Sequence, residues 1–256
     1  AQNKKFWADT VLAAAIKGSD FEAIATRKKA LKKSLFKIVA DQTGKLFDEN
    51  VLTIVWARRF AAYKRADLVM QDWERFVELV SSTDLPVQFI WAGKPYPGDY
   101  GSIALFNHII SRAKPLRNCA VLTGHELSLS DALKKGADVW LNNPRMYREA
   151  SGTSGMTAAM NGAINLSMPD GWVPEFAMHM QNAFVIDASR DQSAQEEVDK
   201  YENNALMTLL ENEVVPMYYK DQKQWVQILE KSATDIVPEF ESARLAKDYY
   251  KKLYNA

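Results

Sequence analysis

VLTIVW, residues 51–56, is a nearly continuous apolar run of β-branched and aromatic side chains. Without alternation of polar and apolar positions, it reads as a short strand covered on both faces. Comparable runs recur at residues 87–91, 119–122, 139–141 and 163–166. Between them lie segments with helical spacing of apolar residues, at 66–80, 103–113, 127–135 and roughly 154–160. Strands and helices alternating at these lengths predict βαβ units with right-handed crossovers. The expected fold class is therefore α/β, a doubly wound parallel sheet.

Upstream of the first strand, Phe21, Ile24, Leu31, Leu35, Ile38 and Val39 recur at helical spacing. The basic cluster Arg27, Lys28, Lys29, Lys32 and Lys33 lies between them and reads as the wet face of an amphipathic helix, with anion binding as the other reading. From about Glu196 the strand signals stop, and helical patterns at 205–218, 224–231 and 239–254 make a helical tail. No internal repeat or Pro/Gly-rich linker interrupts the chain. One domain is expected, with a leading helical segment at 1–48, a Rossmann-like core at 49–195 and the tail at 196–256.

Composition narrows the function. The 256 residues carry 32 Lys and Arg against 32 Asp and Glu, a formal charge of zero. That balance gives no whole-chain electrostatic case for nucleic acid or an anionic membrane. No uncharged apolar stretch approaches a membrane span, and no signal-peptide pattern stands at the start. Cys119 is the only cysteine, so no internal disulfide forms, and a reducing, cytoplasmic setting is expected. The chain begins without Met, which suggests a trimmed chain or a fragment.

Ligands of an open parallel sheet sit at the carboxyl ends of its strands, so the loops there carry the chemistry. After the first strand come Arg58, Arg59, Lys64 and Arg65. Arg59 and Lys64 can clamp a phosphate, one as a planar fork and one as a point charge, or all four can be surface cations. The turn AGKPYPGD, residues 92–99, carries Lys94 and either touches ligand or only reverses the chain. NNPR, residues 142–145, and EASGTSGMTAAMNG, residues 149–162, give the strongest signal. The small residues from Ala150 to Gly155 let backbone amides approach an anion, and Glu149 beside them suits sugar hydroxyls; a plain capped helix is the alternative.

The runs ARRFAAYKRADL, AGKPYPGD, DVWLNNPR, EASGTSGMTAAMNGAINLS and DGWVPEF, with LLENEVVPMYY at 209–219, resemble in their order the C-terminal half of the shorter bacterial and archaeal α-glucan (glycogen/maltodextrin) phosphorylases. The resemblance implies half of a GT-B glycosyltransferase, in which two Rossmann-like halves face each other and glucosyl units are transferred with retention at α-1,4-glucan ends. Carried over, Arg59 and Lys64 are catalytic cations that hold substrate phosphate. Glu149, Ala150, Ser151 and Gly152 bind the sugar. Arg58, His125, Thr153, Ser154, Gly155 and Thr157 line the phosphate of cofactor or donor. The implied partners are an α-1,4-glucan or maltooligosaccharide, phosphate with glucose 1-phosphate or else a sugar nucleotide, and the N-terminal half. No metal is implied.

Two positions depart from that pattern. The resemblance implies pyridoxal 5′-phosphate on a lysine immediately after the Met of GTSGM, and Thr157 stands there. A hydroxyl forms no imine, so covalent cofactor is not expected and phosphorolysis is in doubt. The loop Gly124-His125-Glu126 also lacks the family's tyrosine. Three readings follow: a phosphorylase homologue that keeps glucosyl transfer, a sugar-nucleotide-dependent enzyme of the glycogen-synthase kind, or a non-catalytic glucan-binding relative.

Overall fold

The computed structural model describes residues 8–124, 126–191 and 193–254. Two helices lead the chain, α1 (Thr10–Lys17) and α2 (Phe21–Thr43), each begun by an aspartate, Asp9 or Asp20, whose side chain accepts a backbone N–H of the first turn. Gly44, at φ 70°, ends α2. The sheet follows as β1 (Leu52–Ala57), β2 (Val87–Ala92), β3 (Cys119–Leu122), β4 (Val139–Asn142), β5 (Ile164–Ser167) and β6 (Phe184–Val185). All pairings are parallel and the order is β3-β2-β1-β4-β5-β6. This is the Rossmann-like order, with the switch between β1 and β4.

The strands read as continuous apolar runs because helices cover both faces. Ile54, Trp56, Phe89 and Trp91 pack with α1, α3 (Trp73–Ser81) and the tail helices α8 (Gln195–Leu209), α9 (Val215–Lys220) and α10 (Gln222–Asp235). Val55, Ile90, Ala120 and Trp140 point the other way, onto α2, α5 (Leu127–Gly136) and α6 (Thr153–Ala159). The remaining helices are α4 (Tyr100–Ala113), α7 (Val173–Phe176), α11 (Val237–Phe240) and α12 (Ser242–Tyr249).

Three expectations change. Residues 66–80 are not one helix: a 3₁₀ turn at Leu68–Met70 precedes α3, which restarts where Asp72 accepts the N–H of Arg75. The two-residue strand β6 is too short to leave a sequence signal. The basic face of α2 is also not uniformly wet. Lys32 is 1 % exposed, 2.5 Å from Asp138 and 2.6 Å from the Val51 carbonyl. Lys28 donates to the carbonyls of Ala137, Gly162 and Lys135. These carbonyls lie at the end of α5 and at the amino ends of β4 and β5, where a lysine one turn away on a packed helix reaches them. Only Lys29 and Lys33 keep the solvated character read for the cluster, Lys33 pairing with Glu49 at 2.9 Å.

Candidate functional site

The carboxyl ends of β1 and β4 bring three of the expected residues together. As β1 ends, the Arg58 N–H donates to the Ala92 carbonyl, and Phe60 is buried between the rings of Trp56 and Phe106. Phe60 anchors the loop, and Arg58 and Arg59 end in different surroundings. The Arg58 side chain is 4 % exposed and 3.1 Å from Glu149 Oε2. Lys64 Nζ lies 3.0 Å from the same oxygen and 3.4 Å from Oε1, above the Tyr63 ring. Arg59 is exposed and outside this ion group; its charge helps hold Asp99 below the usual carboxylate range, where the Ser102 hydrogen bonds are the larger cause.

Burial pulls the Arg58 pKa below its ordinary value, and the neighbouring Glu149 opposes that shift. The guanidinium stays charged at any working pH. Its Nη1 is buried without a hydrogen-bond partner. Arg58 and Arg59 both line a cavity of about 190 Å³ with Ser154, Lys134 and Trp140. The β2–α4 turn approaches the Arg58 backbone so closely that a Cβ on Gly93, at φ 137°, would stand 2.0 Å from the Arg58 carbonyl oxygen.

The loop that carries Glu149 is clamped from two sides. Asp170 Oδ2 accepts the backbone N–H groups of Arg148 and Glu149 at 3.0 and 2.9 Å. Trp172 N–H donates to the Ser151 carbonyl, and a Cβ on Gly171 would meet that carbonyl oxygen at 2.4 Å. On the other side Arg145 makes a bidentate pair with Asp199 of α8, at 2.6 and 2.7 Å, while its N–H donates to the Tyr63 carbonyl. Arg65, 2 % exposed, bonds Asp199, Glu202 and the carbonyls of Asn143 and Pro144.

Arg65 is thus a structural cation that ties the Lys64 loop to the Glu149 loop through the tail. Asp170, Gly171, Arg145 and Asp199 were not singled out as site residues by sequence reasoning. For three of them a signal existed, since NNPR and DGW stand within the stretches DVWLNNPR and DGWVPEF that carry the family resemblance; Asp199 in a polar helix gives none.

Ala150, Ser151 and Thr153 are exposed on the rim; Gly152 and Ser154 are half-buried and Gly155 is buried. Thr157 follows on α6, its hydroxyl donating to the Thr153 carbonyl at 3.0 Å. Lys94 is exposed on its turn. The expected contact at His125 lies outside the described residues. Among the described residues, no group of three or more His, Cys, Asp or Glu is placed to hold a metal, and no helix is long and apolar enough to cross a membrane. The arrangement offers one carboxylate for hydroxyl groups, flanked by cations suited to a phosphate.

The sequence matches the Carbohydrate phosphorylase family over residues 10–214. It is 45 % identical to an uncharacterised protein of Methanocaldococcus jannaschii, over 99 % of this chain and 47 % of that protein. It is 37 % identical to the maltodextrin phosphorylase of Thermococcus litoralis, over 91 % of this chain and 28 % of the relative. Against the glycogen phosphorylase of Aquifex aeolicus the identity is 35 %, over 90 % and 34 %. The chain spans less than half the length of each of these relatives.

Proposed function

The chain belongs to the carbohydrate phosphorylase family, and from that premise we propose that it is the phosphate-binding half of a glucosyltransferase acting at α-1,4-glucan ends. The observation that carries this reading is Glu149 held between Arg58 and Lys64 at the carboxyl end of the sheet. A carboxylate there accepts hydrogen bonds from sugar hydroxyls. Lys64 and Arg59 hold substrate phosphate, and Arg58, with an unused N–H, holds a second anionic group. Ala150 to Gly152 contact the sugar, while Thr153 and Ser154 present backbone amides to phosphate and Gly155, whose N–H donates to the Gly152 carbonyl, shapes the turn beneath it.

The family typically uses pyridoxal phosphate. In this chain the donors for a phosphate group are in place, but Thr157 offers a hydroxyl already bonded to a carbonyl where the resemblance puts the imine-forming lysine. The residues present do not fit a covalently held cofactor. That mismatch favours a second reading, in which the diphosphate of a sugar nucleotide occupies the paired anion sites. Retention of configuration, a missing N-terminal half of the GT-B kind and a cytoplasmic setting belong to the same proposal.

Donor screening of the complete natural polypeptide with a maltooligosaccharide tests it, comparing glucose 1-phosphate with ADP-glucose and UDP-glucose. Activity with any of them supports glucosyl transfer, and the donor used selects the reading. Inactivity with all three leaves the glucan-binding relative. Lys64→Ala and Arg59→Ala should each lose about 2–4 kcal/mol of transition-state stabilisation with folding little changed, the size of other preorganised charge contacts. Unchanged kinetics in either variant would return that cation to the surface.

A further inference from the structure

Tyr147 stands two residues before Glu149, on the same clamped loop, with φ 63° and 83 % of its surface exposed. Positive φ is uncommon for any residue but glycine and is costly for a bulky one, so a tyrosine persists there only where its neighbours over-determine the backbone. They do so here. Before it, Arg145 is fixed by Asp199 and by the Tyr63 carbonyl; after it, the N–H groups of Arg148 and Glu149 are fixed by Asp170. The loop fixes the backbone under a large solvent-exposed ring, two residues before a carboxylate suited to hydroxyl groups.

We propose that Tyr147 is a stacking platform for a glucosyl ring of the α-glucan, next to the unit held by Glu149; this rests on the glucan reading above. A pyranose ring has an apolar C–H face and a rim of hydroxyls, so its recognition needs a flat apolar plate as well as hydrogen-bond acceptors. Tyrosine supplies such a plate at low entropy cost, having few rotatable bonds, and its hydroxyl keeps the outer edge wet. A turn residue selected only for backbone shape would be Gly or Asn at this φ, and neither would present a ring.

The test is titration of the chain with maltoheptaose and, separately, with inorganic phosphate, using Tyr147→Phe, Tyr147→Ala and Tyr147→Gly, with Tyr249→Ala on α12 as an exposed-tyrosine control. Maltoheptaose should bind Tyr147→Phe and the control within twofold of wild type, and Tyr147→Ala and Tyr147→Gly roughly tenfold more weakly, equivalent to about 1.4 kcal/mol. Phosphate binding should not change in any variant. Tyr147→Gly should also melt no lower than wild type, because glycine relaxes the backbone while removing the plate. Equal maltoheptaose affinity in wild type and Tyr147→Gly overturns the platform while leaving the glucan reading standing. A wild-type chain that binds neither maltoheptaose nor phosphate overturns the glucan reading itself.

Discussion

Glu149 is a carboxylate with two cations against it, and its removal exposes what it does for the fold. Arg58, Lys64 and Glu149 are each at most 12 % exposed, so neither cation can turn fully to water if the carboxylate is lost. Glu149→Gln should destabilise the chain by about 3 kcal/mol, read as a lower urea midpoint at unchanged m, because it strands buried charge. A midpoint equal to wild type would show that the cations escape to solvent. Cys119 gives a pH signature of opposite origin, since burial raises its pKa from 9.0 to about 12. Above pH 9 the unfolded thiol ionises while the folded one does not, so stability falls with pH between 9 and 12, by about 1.4 kcal/mol per unit. Cys119→Val should lose less stability than wild type across that window; parallel curves would refute the shift. At Thr157 the expectation is chemical: incubation with pyridoxal phosphate, borohydride reduction and mass spectrometry should find no pyridoxyl adduct on α6. Lys134, which lines the cavity beside Arg58 and Ser154, is the position to inspect for one, and an adduct there would reopen covalent cofactor chemistry.

At the level of elements, periodicity shows which residues a helix turns inward but not which polar atoms wait for them. The apolar stripe of α2 was legible from Ile24, Leu31, Leu35 and Val39, all of them buried. The placement of Lys32 was not, because Asp138 and the Val51 carbonyl are brought to it only by the sheet. Lys32→Met should therefore cost about 3–5 kcal/mol by leaving Asp138 unpaired, and Lys32→Met with Asp138→Asn should cost less than the sum of the two single changes, as a double-mutant cycle would show. Additivity would mean that the 2.5 Å pair contributes no coupling. The strands β1 to β5 are legible to within about a residue because helices on both faces make them apolar throughout, whereas β6 is too short to show. The tail was read as helix through 205–218, yet it contains a π-helical turn at Leu210–Val214 just before Pro216. Proline lacks the N–H that an α-helix would use there, and a wider turn accommodates its ring. In the candidate site, cations and carboxylate were legible as motifs in loops, whereas the clamp by Asp170 and Asp199 depends on contacts 22 and 54 residues away from the loop.

For the whole molecule, the decisive feature is how open the site is. Lys94, Arg59, Ala150 and Ser151 are exposed, and the cavity beside Arg58 holds only about 190 Å³. Ligand sites that enclose a substrate run to about 300–1,000 Å³, and group transfer to a sugar rather than to water requires that water be kept out. The buried sheet, covered on both faces, should nevertheless give the chain a cooperative fold of its own. The 256 residues alone are therefore expected to unfold in a single transition and to bind phosphate, yet to transfer no glucosyl unit from glucose 1-phosphate, ADP-glucose or UDP-glucose to maltoheptaose. A discontinuous assay for chain elongation and for released phosphate or nucleotide, run at high protein concentration, checks this directly. Turnover by these residues alone would mean that the rim closes over substrate without a second half. No turnover and no cooperative transition would mean that a second half is needed for the fold as well as for the chemistry.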